Sequence, residues 1–302
     1  MKKHMLLLAL VLGVYSSASS AGFDFGKLIE TMGQVPSQQK SDTNQPAEQP
    51  ATTSGQQTAK EQALSLSLFG KTSLEDEIRI GRQVSGDLLG AAPLVKDETL
   101  QRYVNSVGRW VAMQSSRPDL PWHFGVIESD DINAFSAPGG YVFVTKGLYK
   151  RLNNEAELAG VLAHEIAHVS LKHHLNLLKQ SQLIGLLAQT VSKEVKGGDQ
   201  TVQNLIGNGA EMMARSLDKE AEFEADRTAV VYAARSGYDA WGLPTVLQDM
   251  ATINAKDDRL ALLYKTHPTA ADRVERLGDA VGDRFDSLAP GKDFPDRFYR
   301  IR

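Results

Sequence analysis

The stretch from Glu157 to Val169, with His164-Glu165-Ile166-Ala167-His168 at its centre, constrains this chain more than any other. Leu158, Val161, Leu162, Ile166 and Val169 recur at helical spacing, so a long helix is expected from about Asn154 to Lys179, continuing toward Glu194. Two histidines four residues apart on such a helix stand one turn above the other on one face, where both imidazoles reach a single ion. Glu165 is turned ~100° from His164 around the axis, which sets its carboxylate beside the water of such an ion rather than on the ion itself. With seven histidines in 302 residues, chance is a weak account of this spacing. The rival is a pair of surface histidines with a solvated glutamate.

A catalytic zinc ion takes three protein ligands and keeps one position for water, so a third donor is required. The run Glu220-Ala221-Glu222-Phe223-Glu224-Ala225-Asp226 lies on a helix expected from Glu211 to Arg235, and Phe223, Ala225 and Ala229 imply burial of part of it. Glu222 and Asp226 share a face, whereas Glu220 and Glu224 fall elsewhere. That geometry makes His164, His168 and Glu222 the candidate ligands of one zinc ion per chain. Asp226 is then placed to hydrogen-bond the free nitrogen of a ligand histidine. Glu165 acts as general base. On the same helical wheel His173 is opposite His164 and His174 lies off the metal face, so both read as structural or solvated. His123 opens a strand and has no ligand partner.

Around this centre the pattern reads as an α+β domain, mostly helical with one small sheet, from residue 74 to 302. Thr72 can cap a helix starting near Leu74, and a second helix is expected from Glu98 to Met113. Short aromatic and β-branched runs, Trp122 to Ile127 and Tyr141 to Thr145, flank Pro138-Gly139-Gly140 as strands. Helices resume in Trp241 to Ile253 and Ala270 to Val281. Before the domain, Lys2 and Lys3, the apolar run Met5 to Tyr15 and the small residues Ser16 to Ala21 read as a cleavable signal over 1–21 that directs the chain to the periplasm. The apolar run is well short of the ~20 residues a spanning helix needs. Residues 22–73 are expected to form a short segment and a disordered tether rich in Gln, Ser, Thr and Pro. The absence of cysteine excludes disulfides and thiol chemistry. A net charge of -4 with Lys and Arg dispersed argues against nucleic acid as a partner. Peripheral membrane contact stays compatible with the sequence.

The pieces Asn133 to Gly140, Glu157-Leu158-Ala159, His164 to His168, Glu222 to Asp226 and Thr266-His267-Pro268 resemble, in order, family forty-eight of the metallopeptidases. The match covers roughly Leu74 to Gly282, and it is nearest to the family's soluble periplasmic branch without the helical repeat domain. The resemblance implies a zincin-like (gluzincin) metalloprotease domain, with Glu222 as third ligand and Asp226 as orienter or proton shuttle. It also implies that Asn133, Ala134 and Phe135 belong to an edge strand on which extended substrate adds. His267, with Arg273 following it, has two roles open: a neutral imidazole in the open zinc position holding the enzyme latent, or a protonated one that stabilises the oxyanion with Arg273. The implied function is a zinc endopeptidase of misfolded or misassembled envelope proteins, with outer-membrane assembly machinery as a partner. The rival is a chaperone-like or adaptor protein with a structural zinc. Glu165 speaks against it, because a closed structural site needs no water-activating carboxylate.

Overall fold

The computed structural model describes residues 72–180, 217–254, 257–282 and 291–301. The expected signal, nearly all of the tether, the continuation toward Glu194 and the helix start at Glu211 lie outside these residues.

Helix α1 (Leu74–Ala91) is capped by Ser73, whose hydroxyl accepts from the Asp76 N–H, rather than by Thr72. Helix α2 (Glu98–Ala112) is capped by Asp97 and turns Leu100, Val104, Val107 and Val111 into the core. The strands β1 (His123–Ile127), β2 (Ala134–Ala137) and β3 (Tyr141–Thr145) form a sheet of order β1-β3-β2. β1 runs parallel to β3, and β2 antiparallel to it. The turn between β2 and β3 needs Gly139, whose φ is 80° and whose Cβ would lie 2.7 Å from the Ile78 Cα of α1. This turn therefore docks directly on α1.

After the short helix α3 (Lys146–Tyr149), Asn154 caps α4 (Glu155–Ser170) by accepting from the Glu157 N–H. Every residue of α4 is buried. It packs on the sheet and on α2, α5 (Lys219–Arg235) and α6 (Gly242–Thr252). The crossing with α6 is close: a Cβ on Gly160 would lie 2.5 Å from the Leu243 backbone nitrogen. A single turn of 3₁₀ helix at Asp258–Leu260, then α7 (Ala261–Thr266) and α8 (Ala270–Val281), follow. Among the described residues no helix is long and apolar enough to cross a membrane.

The expected continuous helix to Lys179 is interrupted. Lys172 takes a left-handed φ of 63°, and helix resumes only at His173. The Val169 carbonyl, which the His173 N–H would take in a continuous helix, instead accepts from the Lys172 N–H at 3.1 Å and from Arg117 at 3.3 Å.

Candidate metal centre

Helix α4 presents His164 and His168 with their Nε2 atoms 3.0 Å apart, and both side chains are buried. Helix α5 brings Glu222, wholly enclosed, to 3.6 Å from each of these nitrogens. The end of α7 adds His267, whose Nδ1 lies 2.6 Å from Glu222 Oε2 and whose side chain is 9% exposed. One ligand atom from each of these four residues falls within 4.8 Å of the others.

This group fits a metal ion on its own chemistry. Glu222 Oε1 is buried and has no hydrogen-bond partner among the described residues, an expensive state for a carboxylate oxygen. Two imidazole nitrogens face each other beside it. Burial opposes ionisation of Glu222, yet its carboxyl is held well below the usual range, the surrounding His267 and His168 favouring the anion. A cation among these atoms satisfies the orphan oxygen and both nitrogen lone pairs, and imidazole with carboxylate suits a divalent transition ion.

A buried layer orients the group. Asp226 Oδ1 lies 2.9 Å from His164 Nδ1, so the carboxylate accepts from that N–H and leaves the Nε2 lone pair aimed at the centre. Arg273 of α8 binds Asp226 through Nε at 2.9 Å and Nη2 at 2.6 Å. Against the cost of burial, this guanidinium holds the Asp226 carboxyl at about 2. Burial and Arg273 press the His164 imidazole down, but Asp226 and then Glu222 outweigh them and lift it to about 9, so the Nε2 lone pair is free only when a cation takes the place of that proton. Burial drives His168 well below its ordinary value.

Glu165 is 2% exposed and lines a cavity of about 30 Å³ together with His164, His267, Arg273, Asn133 and Ala134. Such a volume admits a water molecule. Apolar side chains of α6, among them Leu243, Val246 and Met250, also line it. Asn133 is fully buried, its Oδ1 accepting from the Ala134 N–H and its Nδ2 without a partner among the described residues. Phe135 follows on β2, against the hydrophobic cluster beside α1.

The structure thus brings His164, Glu165, His168, Glu222, Asp226, His267 and Arg273 into one site. It departs from the sequence reading at His173 and His174. Because the helix breaks at Lys172, the wheel that places them away from the metal face does not apply. His173 Nδ1 is 3.0 Å from His168 Nδ1, and the His174 ring centre is 5.4 Å from that of His168. A glycine or asparagine at 172 would have signalled the break, but a lysine in the left-handed region gives no such sign. His123 stacks on Tyr141, away from the site.

Residues 98–281 match the model of peptidase family M48. The chain is 30% identical over 211 residues to the beta-barrel assembly-enhancing protease of Escherichia coli strain K12, covering 67% of this chain and 43% of that protein. It is 24% identical over 212 residues to the mitochondrial metalloendopeptidase OMA1 of Schizosaccharomyces pombe, covering 69% and 62%. With the metalloprotease YcaL of E. coli it shares 26% identity over 162 residues, covering 53% and 63%. It spans less than half the length of the first of these relatives.

Proposed function

The chain belongs to peptidase family M48, and from that premise we propose that it is a zinc-dependent endopeptidase of the bacterial cell envelope. The observation that carries this reading is an orphan carboxylate oxygen on Glu222 beside two facing imidazole nitrogens, with the Glu165 carboxylate on the wall of the adjoining cavity. His164, His168 and Glu222 hold one zinc ion. Bound zinc supplies Lewis acidity, acidifying water and polarising a peptide carbonyl.

The remaining work belongs to the chain's own side chains. Glu165 accepts the proton of the attacking water as general base and returns it to the leaving amine nitrogen. Asp226 holds His164 in the tautomer that presents Nε2, and Arg273 holds Asp226. The Nε and Nη2 of Arg273 are engaged with Asp226, which sets this guanidinium to orient the site rather than to meet an oxyanion. Substrate lies along Asn133, Ala134 and Phe135. This is supported by the place of β2 at one end of the sheet order and by Asn133 and Ala134 lining the cavity beside Glu165. His267 acts as a latch, its imidazole held among the ligand atoms through Glu222 Oε2.

Residues 1–21 serve as a cleaved signal, 22–73 as a short segment and tether, and 74–302 as the peptidase domain, which places the enzyme in the periplasm. Its substrates are misfolded or misassembled envelope proteins, and outer-membrane assembly machinery is its partner. The name of the E. coli relative, a beta-barrel assembly-enhancing protease, supports this.

The deciding experiment compares wild type with Glu165→Gln on a denatured outer-membrane protein. The variant is expected to keep its fold and zinc content and to lose hydrolysis by about 10²- to 10⁴-fold. Near-wild-type cleavage by a clean preparation of the variant would remove Glu165 from the mechanism.

A further inference from the structure

The two α4 histidines are supported differently. His164 has a buried carboxylate, Asp226, on its Nδ1. The partner of His168 Nδ1 is another imidazole, the Nδ1 of His173, at 3.0 Å. Behind it, His173 Nε2 lies 3.3 Å from Glu224 Oε2. The His173 side chain is 8% exposed, whereas that of Glu224 is 53% exposed.

We propose that His173 is the positioning residue of His168, a neutral imidazole that accepts from the His168 Nδ1–H and is oriented by Glu224. The inference rests on the reading of His168 as a zinc ligand. Tautomer logic fixes every direction in this chain of bonds. With Nε2 of His168 turned to the ion as a lone pair, its single proton sits on Nδ1. At 3.0 Å the facing Nδ1 of His173 must then be the acceptor. A neutral His173 keeps its proton on Nε2 and donates it to Glu224. His173 stands there across the break in which α4 ends at Ser170 and Lys172 takes a left-handed φ, so the helix break belongs to the site's construction. Acceptance at Nδ1 raises the basicity of His168 toward the ion, as ligand-orienting partners do generally.

The test is zinc affinity, measured by competition with a chromophoric chelator, alongside the ligand-field spectrum of the Co²⁺-loaded full-length protein. His173→Leu, which cannot accept, is expected to bind zinc about 10- to 100-fold more weakly and to shift the Co²⁺ bands. His173→Asn, with an amide oxygen available near the former Nδ1, should recover most of the affinity. Glu224→Gln should lose only a few-fold, since it is exposed. Circular dichroism of the metal-free proteins controls for folding, and His168→Ala controls for the ligand reading. Equal weakening in His173→Leu and His173→Asn would mean that the side chain acts by packing alone, overturning the proposal. Unchanged affinity in both, while His168→Ala loses zinc, would overturn it and leave the metal centre standing. Retention of zinc by His168→Ala would instead defeat the ligand reading on which the proposal depends.

Discussion

Glu222 and Glu224 are two residues apart on α5 and chemically identical, yet one is enclosed and the other half exposed. Glu222→Ala should abolish stoichiometric zinc binding, whereas Glu224→Ala should leave the stoichiometry intact; elemental analysis of the purified variants checks this, and a reversed result would mean the third ligand is misassigned. His267 is the residue on which regulation turns. If it latches the site, His267→Ala raises basal proteolysis of an unfolded substrate; if it stabilises the oxyanion, the same change lowers kcat. We expect the rise, because Nδ1 sits 2.6 Å from Glu222 Oε2 among the ligand atoms, and kinetics equal to wild type at several pH values would defeat both roles. The core of the site was legible in the sequence because its residues keep fixed helical offsets: His164, Glu165 and His168 on one helix, Glu222 and Asp226 on another. The salt bridge from Arg273 to Asp226 spans 47 residues of sequence, and no local pattern announces a partner at that distance.

Elements, rather than single side chains, hold the α4 histidines in place, and the ion pair of buried Glu77 with partly buried Arg117 joins three of them. Arg117 grips Glu77 with contacts of 2.7 and 2.9 Å, Glu77 accepts from the Gly139 N–H of the β2–β3 turn, and Arg117 also donates to Val169, the residue after His168. Removing the cation leaves a carboxylate that is 1% exposed, with Lys172, at 4.0 Å, the one other cation in reach among the described residues. Arg117→Met should therefore cost about 3–5 kcal/mol of stability, and the double variant Glu77→Gln/Arg117→Met clearly less, since the stranded charge is gone. Chemical denaturation of the three proteins measures it, and a cost equal in single and double variants would show that the pair acts by packing. Helix α2, strand β3 and helix α8 stand within a residue of their expected bounds, because regular apolar spacing fixes them. The end of α4 does not, since it depends on Arg117 arriving from another part of the chain. The packing of α6 across Gly160 was likewise not readable: a glycine inside a helix does not say which neighbour approaches it.

At the scale of the molecule, the C-terminal segment 291–301 closes the domain onto the start of α4 through a buried acid. Glu155, 1% exposed, accepts from Tyr103 of α2 at 3.0 Å, from Tyr238 beyond α5 at 2.9 Å and from Arg297. Phe298 stacks on Tyr149 beside this hub, and the Tyr299 hydroxyl reaches Asp97, the cap of α2. Four regions far apart in sequence thus meet at the first residue of the helix that carries the metal ligands. Nothing in the local sequence marks this closure, because each tyrosine alone reads as an ordinary amphipathic side chain. Burial first, and the Glu155 carboxylate after it, push the phenols of Tyr103 and Tyr238 above the usual tyrosine range. A pKa raised in the folded state contributes stability that is complete below the unfolded value, about 10, and is lost as pH rises beyond it, because the unfolded chain releases protons that the native one retains. Denaturation measured from about pH 8 to pH 11 should show wild-type stability falling above pH ~10. Tyr103→Phe/Tyr238→Phe should be less stable at pH 8, having taken two donors from a buried carboxylate, yet fall less steeply at alkaline pH. Parallel curves for the two proteins would mean that the hub does not govern alkaline stability and that the domain is closed by other contacts.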